Sequence, residues 1–109
     1  ISNRPELSCL AVGAGSESGE RIAAFPFDQD YEEDLESGIA DIKQCTLEGG
    51  ADHIHAARFL NCFIENNVPW LHTDLSSSNR KGGLGAALSE VNGFGVGFGI
   101  QVLKKVLQK

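Results

Sequence analysis

The tract from Pro69 to Gly83, PWLHTDLSSSNRKGG, constrains the fold of this chain more than any other segment. It opens with aromatic, branched and β-favouring residues at 70–75, behind a proline that suits the entry of a strand. Serines, an amide and two cations follow before the tract ends in glycine. Ligands of α/β proteins bind beyond the carboxyl ends of the strands. The tract therefore predicts a buried strand whose following loop lines a binding site.

Periodicity along the rest of the chain predicts an alternating order of helices and strands. Helical spacing and capping residues predict helices from the Ser2–Glu6 region to Gly15 or Gly19, over Asp28–Glu36, from Asp52 towards Asn66, and over Gly95–Leu107. Short apolar runs predict strands at 21–26, 39–43 and 70–75. This order predicts one α/β unit over residues 1–109, a partial mixed or parallel sheet flanked by helices.

The two longest predicted helices carry apolar stripes that should face the core. The helix from Asp52 places Ala56, Leu60, Phe63 and Ile64 on one side, and the last helix places Val102, Leu103, Val106 and Leu107 together. The acidic stretch 28–36 has no fixed ligand spacing, so a solvated helix face is expected there.

Composition narrows the classes of function. The formal net charge of −6 disfavours a nucleic-acid partner, because phosphate binding needs a basic surface. An apolar run of the roughly 20 residues that a membrane span requires is missing from the sequence. The three cysteines, Cys9, Cys45 and Cys62, cannot all pair with one another, and they form no CxxC. Reduced, partly buried thiols in a cytoplasmic protein are the expected outcome.

Two histidine pairs suggest chemistry, and each has an ordinary structural alternative. His53 and His55 point about 200° apart on a helix, so they are not expected to share a metal, and a half-exposed pair near the N-terminus of a helix is expected instead. His72 and Asp74 would face the same side of a strand, where the carboxylate could orient a general base. A buried pair satisfied by neighbouring backbone is the favoured interpretation, since no nucleophile is identified.

Other motifs are weaker still. Residues 76–78 are serines without the GxSxG elbow that exposes a nucleophile, so a polar loop is expected. The glycines of GFGVGFG at 93–99 recur every second residue and miss the final interval of GxGxxG, so nucleotide binding is not expected. Taken alone, the residues predict no self-sufficient catalytic constellation.

Several segments, in the same order, resemble the C-terminal part of the catalytic domain of leucyl aminopeptidases, the M17 family of metallopeptidases. PWLHTDLSS is similar to the signature PWAHLDIAG, and SGERIAAFPFDQDYEEDLESGIADIKQ to GERVWRMPLWEEYREQLKSDIADIKN. GFGVGFGIQVL takes the place of the closing GATGVGVRLL helix, and ISNRPEL fits a short FSN stretch. The resemblance covers nearly all 109 residues.

The resemblance implies a cytoplasmic, hexameric enzyme that removes N-terminal amino acids from peptides. Two divalent ions, zinc, manganese or magnesium, would activate the attacking water. The metal-site motif of the family reads NTDAEGR, and nothing like it occurs in this sequence. Metal ligands and catalytic residues are therefore expected upstream of Ile1. This segment should bind no metal, contain no catalytic residue and be inactive alone.

What the resemblance assigns to this segment is one wall of the pocket for the substrate's first side chain. The aligned positions are Cys45, Ser76 and Asn79, which would make that pocket more polar than a simple leucine preference requires. The segment 49–60 departs from the family pattern through Asp52, His53, His55 and Arg58, which indicates a divergent subgroup. The alternative function is a non-catalytic regulatory or oligomerisation module of the same α/β class.

Overall fold

The computed structural model describes residues 1–45, 49–75, 79–83 and 88–108 of the chain. Its helices are α1 (Pro5–Ser18), α2 (Asp52–Asn61) and α3 (Val96–Leu107), with 3-10 helices at Gln29–Leu35 and Glu65–Asn67. All four predicted helices are confirmed, although the acidic one is a 3-10 helix and α2 ends at Asn61, before the Asn66 boundary expected.

Helix α1 begins and ends largely as its sequence predicts. Pro5 lies in its first turn, and Gly19 ends it in the left-handed conformation with a φ of 76°. Ser2, in the region predicted to cap this helix, instead links two segments. Its hydroxyl donates to the carbonyl oxygen of Trp70 at 2.6 Å and accepts from the backbone N–H of Arg4 at 3.1 Å. Ser2 therefore joins the start of the chain to the tract at 70–75.

The core lies where α1 packs against α3. Ala11 and Ala14 of α1 are buried with Phe98 of α3, and partly buried Ile22, Leu71 and Val102 surround them. Small residues on α1 let the aromatic ring approach the helix closely. Gly15 continues this small surface, because a Cβ there would lie 2.4 Å from Cγ1 of Ile22.

Glu20 fixes the start of α3 from a distant part of the sequence. Its carboxylate oxygens accept from the backbone N–H of Gly95 at 3.1 Å and of Phe98 at 2.6 Å. The first N–H groups of a helix have no partner within the helix, and its N-terminus carries partial positive charge. Glu20 thus supplies both hydrogen bonds and complementary charge where the segment after α1 meets α3.

The predicted apolar stripes are confirmed only in part, at Val102 of α3 and at Ala57 beside the stripe of α2. In α2 the buried residues are Ile54, His55, Ala57 and Arg58, whereas Ala56 is exposed and Leu60 is 42% exposed. They face the 3-10 helix at 29–35. In α3 only Val102 of the predicted set packs on the core, while Leu107 is 81% exposed. Periodicity identified apolar faces but not which neighbour covers them.

The sheet is not confirmed within the described ranges, which contain no strand. Residues 21–26 and 70–75 have no regular secondary structure apart from the isolated antiparallel bridge between Ser2 and Leu71, and Asn79 forms another with Val91. A strand needs a neighbouring strand for its backbone groups. The prediction for 39–43 is wrong, because these residues form bends and Ile39 is fully exposed.

The chain exposes more surface than a compact protein of its mass. Its accessible surface is 7590 Å², whereas a folded monomer of this size exposes about 5,800 Å². Large apolar side chains such as Phe63, Leu88 and Leu103 contribute to this excess. Contiguous exposed apolar surface is typical of an interface with further polypeptide.

Candidate functional site

A cavity of about 290 Å³ lies between α1, the segment 21–25, the tract at 71–74 and the start of α3. Most of its wall is apolar, and these side chains come from every one of those segments: Ala11, Val12, Ile22, Ala23, Ala24, Phe25, Leu71, Phe94 and Phe98. Its polar groups are Ser8, Arg21, His53, His72, Thr73 and Asp74. An apolar cavity with a few convergent polar groups is the usual form of a small-molecule site.

His53 and Asp74 form the most strongly interacting polar pair of this cavity. Nδ1 of His53 lies 2.5 Å from Oδ2 of Asp74, and both side chains are about half exposed. The ring of Phe25 lies against His53 with its centroid 5.5 Å away. The sequence paired Asp74 with His72, but the carboxylate pairs instead with a residue at the start of α2. The half-exposed position predicted for the pair His53 and His55 is confirmed for His53 and wrong for His55, which is buried.

His72 presents an unsatisfied nitrogen within this lining. Its backbone N–H donates to the carbonyl oxygen of Ile1 at 2.9 Å, which extends the pairing around Ser2. Nε2 of its ring is buried and has no hydrogen-bond partner among the described residues. Burial lowers the pKa of His72, the amino group of Ile1 and His53 act in the same direction, and Asp74 opposes them. The expectation that neighbouring backbone would satisfy the ring is not met at Nε2.

Two of the residues predicted to line the substrate pocket, Cys45 and Asn79, are not part of the described cavity lining. Cys45 is exposed and follows the bends after the acidic helix, and Asn79 is exposed in its bridge with Val91. Neither lines the 290 Å³ cavity. Ser76 lies outside the described residues. The assignment of these three positions to a pocket wall stays a prediction. Cys9 and Cys62 are free and exposed, rather than partly buried as expected.

The acidic helix at 29–35 is a docking element for α2 and not merely a solvated face. Arg58 is buried, donates to the carbonyl oxygen of Phe27 at 3.1 Å and pairs with the carboxylate of Glu32. Its guanidinium carbon also lies 4.3 Å from the centroid of the Phe27 ring. Nε2 of buried His55 lies 3.0 Å from Oδ2 of Asp34 without a directed hydrogen bond.

The residues that mark the divergent segment thus find acidic partners elsewhere in the chain. His53, His55 and Arg58 contact Asp74, Asp34 and Glu32 respectively. The sequence analysis missed these pairings and the role of Arg21 in the cavity. The available signal was the proximity of an acid-rich stretch to a helix with three basic residues, since buried charges require partners.

The described residues do not fit the dinuclear metal centre that the resemblance implies. Among them, no group of three or more His, Cys, Asp or Glu side chains could hold a metal ion. His53 and His55 contact carboxylates on different segments, as expected for side chains on different faces of a helix. No catalytic step through a metal is therefore derived from these residues. Across the described ranges, the helices are too short or too polar to cross a bilayer.

The fold of the chain matches part of a solved enzyme structure. The structure of the bottromycin maturation enzyme BotP superposes with a TM-score of 0.88 and 27% identity, covering 99% of this chain and 24% of that one. The same enzyme in complex with Mn gives a TM-score of 0.85 and 28% identity, over 96% of this chain and 23% of that chain. By fold, the chain thus corresponds to part of a larger enzyme domain.

Sequence comparison identifies the family. Residues 1–103 match the cytosol aminopeptidase family, catalytic domain. A probable cytosol aminopeptidase of Ehrlichia ruminantium (strain Gardel) is 40% identical over 77 residues, covering 70% of this chain and 15% of that protein. That of Chlorobium luteolum is 36% identical over 109 residues, covering 100% of this chain and 20% of the relative. The chain belongs to the cytosol aminopeptidase family, and it spans 15–20% of the length of these relatives.

Proposed function

We propose that the chain is the C-terminal part of the catalytic domain of a cytoplasmic, metal-dependent aminopeptidase. The parent enzyme would remove N-terminal amino acids from peptides, as a hydrolase that acts through water activated by two divalent ions. The observation that carries this proposal is the match of residues 1–103 to the catalytic domain of the cytosol aminopeptidase family. The likeness to BotP, one structure of which contains Mn, supports a metal-dependent parent.

The metal ions, manganese, zinc or magnesium, would be held by residues outside this chain. The described residues offer no suitable ligand cluster, so we assign this segment a structural and substrate-binding part. Alone it should not hydrolyse peptides. Its extended segments at 21–26 and 70–75 would become strands of a mixed sheet once neighbouring strands of the same domain supply partners.

Cys45, Ser76 and Asn79 would form one wall of the pocket for the substrate's first side chain. A thiol, a hydroxyl and an amide there favour small or polar side chains over leucine. In the full-length enzyme, Cys45→Val should raise kcat/KM for leucyl relative to seryl p-nitroanilide by roughly tenfold, the scale of a methylene group in an apolar pocket. Cys9→Val changes an exposed cysteine on α1 and is the matched control. If the two variants had equal selectivity, Cys45 would not be part of the pocket.

A second candidate function is an oligomerisation or regulatory element without catalysis. The exposed apolar side chains of α3, Leu103, Val106 and Leu107, favour it, because such a face suits an interface. A hexameric parent, as the family resemblance implies, would use such a surface as well. An activity assay of the full-length protein distinguishes these two functions. Metal-dependent aminoacyl p-nitroanilide hydrolysis by the full-length protein supports the peptidase, and a correctly folded but inactive full-length protein supports the module.

A further inference from the structure

We propose that the 290 Å³ cavity beside α1 binds a small monocarboxylate with an apolar body. The volume is close to the lower end, about 300 Å³, of cavities that hold small organic ligands. Three phenylalanines, Phe25, Phe94 and Phe98, line it together with aliphatic side chains from α1 and the extended segments. These walls suit a branched or aromatic group of the size of an amino-acid side chain.

The polar side of the cavity selects the charge of the ligand. Arg21, His53 and His72 contribute donors, whereas Asp74 is the one acidic residue among the described lining. That carboxylate is already paired with Nδ1 of His53 at 2.5 Å. The lining is therefore relatively basic in a chain whose net charge is −6. A carboxylate would gain a charge-assisted hydrogen bond from Arg21, while an ammonium group would face that guanidinium.

His72 contributes to the lining through other atoms than its orphaned nitrogen. Its Nε2, which lacks a partner within the described part of the chain, has almost no accessible surface and therefore does not face the open space of the cavity. Arg21 is thus the donor that we expect to meet the carboxylate. Phenylacetate, one aromatic ring with one carboxylate, provides both the apolar body and the charge.

The test is a titration of the 109-residue chain with phenylacetate, followed by amide chemical shifts in an NMR spectrum. We expect saturable shifts for residues 21–25 and 71–74 with a Kd of about 1 mM, typical of a ligand of this size. Phenylacetamide has nearly the same shape and no charge, and it should bind at least about tenfold more weakly. Absence of saturable shifts, or equal affinity for acid and amide, would overturn the proposal.

One variant and a matched control locate the recognition. Arg21→Gln should weaken phenylacetate binding by about tenfold. Lys104→Gln changes the net charge equally at an exposed position on α3 outside the cavity lining, and it should leave the Kd unchanged. Arg21 is exposed, so its variant should fold. An unchanged Kd for Arg21→Gln contradicts the proposal. The titration involves neither a metal nor peptide hydrolysis, so its outcome does not depend on the proposed enzymatic function.

Discussion

Glu20 and His72 illustrate how single side chains hold distant segments of this chain in place. Glu20 accepts two backbone hydrogen bonds at the start of α3, about 75 residues further along the sequence. His72 pairs through its backbone with Ile1, while its ring lies at the cavity with one nitrogen unsatisfied. Substitution of either residue should therefore change the free energy of unfolding.

Replacement of Glu20 by alanine should lower the free energy of unfolding by about 1–2 kcal/mol, the usual effect of losing a helix cap. Glu20→Gln should cost less, because the amide oxygen still accepts one hydrogen bond. Glu17→Ala is the control, since Glu17 forms an exposed pair with Lys105 between the same two helices and should matter by less than about 0.5 kcal/mol. Urea unfolding followed by the fluorescence of Trp70, the chain's one tryptophan, measures these values. Equal effects of the two alanine variants would argue against the cap.

The lowered pKa of His72 predicts a loss of stability in mild acid. Burial is the main cause of the shift, so the unfolded state binds the His72 proton more readily than the folded state does. The chain should be most stable above the ordinary histidine pKa of about 6.5 and lose stability as the pH falls from there towards the lowered value. The urea concentration at the unfolding midpoint should therefore be lower at pH 5.5 than at pH 7.5. His72→Gln should make that difference smaller. A larger difference in the variant than in the wild type would contradict the assignment.

At the scale of elements, close packing depends on small residues in α1 and on a buried cation in α2. Gly13 and Gly15 lie on the same helix, but only Gly15 approaches another segment, at Ile22. Arg58 joins α2 to the segment before and within the 3-10 helix, through Phe27 and Glu32. The two contacts fix the two ends of the extended segment that lines the cavity.

The two glycines of α1 should respond in opposite directions to alanine. A Cβ at position 15 would lie 2.4 Å from Cγ1 of Ile22 and 2.8 Å from the carbonyl oxygen of Glu20, so Gly15→Ala should destabilise the fold by about 1–3 kcal/mol. Gly13 meets no described atom within 4 Å, and Gly13→Ala should stabilise it by up to about 1 kcal/mol through helix propensity. Thermal unfolding measured by far-UV circular dichroism compares them. A stabilising Gly15→Ala would mean that Ile22 does not pack against α1 as described.

Arg58→Met should release the 3-10 helix at 29–35 from α2. The variant keeps most of the apolar volume but loses the hydrogen bond to Phe27 and the pair with Glu32, at a cost of about 1–3 kcal/mol. Amide hydrogen exchange of residues 29–35 should become faster. Arg80→Met, at an exposed position, serves as the control. Unchanged exchange in the Arg58 variant would show that the acidic helix is held by other contacts.

Local sequence signals predicted the helices, but they did not predict which residues contact one another across long distances in the sequence. Pro5 predicted the start of α1, and Gly19 was one of the two glycines predicted to end it, because proline and glycine act on backbone conformation locally. The sites of burial on α2 depend on partners far along the chain, so the stripe through Ala56 and Leu60 was wrong. The same holds for the cavity. The tract at 70–75 was predicted as a buried strand followed by a site-lining loop, whereas its own residues 71–74 line the cavity and 73–75 are exposed. Arg21 and His53 reach this cavity only through the fold.

At the scale of the whole molecule, the exposed surface and the family match support the same account. An accessible surface of 7590 Å² and apolar side chains exposed on α3 fit a segment that packs against further polypeptide. The chain spans about a fifth of the length of its relatives, which leaves ample sequence in those proteins for a metal centre. In this account the segment supplies support and substrate contacts, and the chemistry comes from the remainder of the domain.

The most direct test of the account is hydrolysis of leucyl p-nitroanilide and seryl p-nitroanilide with added Mn²⁺ or Zn²⁺, measured for the 109-residue chain and for the full-length protein. Circular dichroism establishes that each sample is folded, and a chelator establishes metal dependence. We expect metal-dependent release of nitroaniline by the full-length protein, and a rate for the chain that does not exceed that of buffer with metal. Metal-dependent turnover by the 109-residue chain alone would contradict the account.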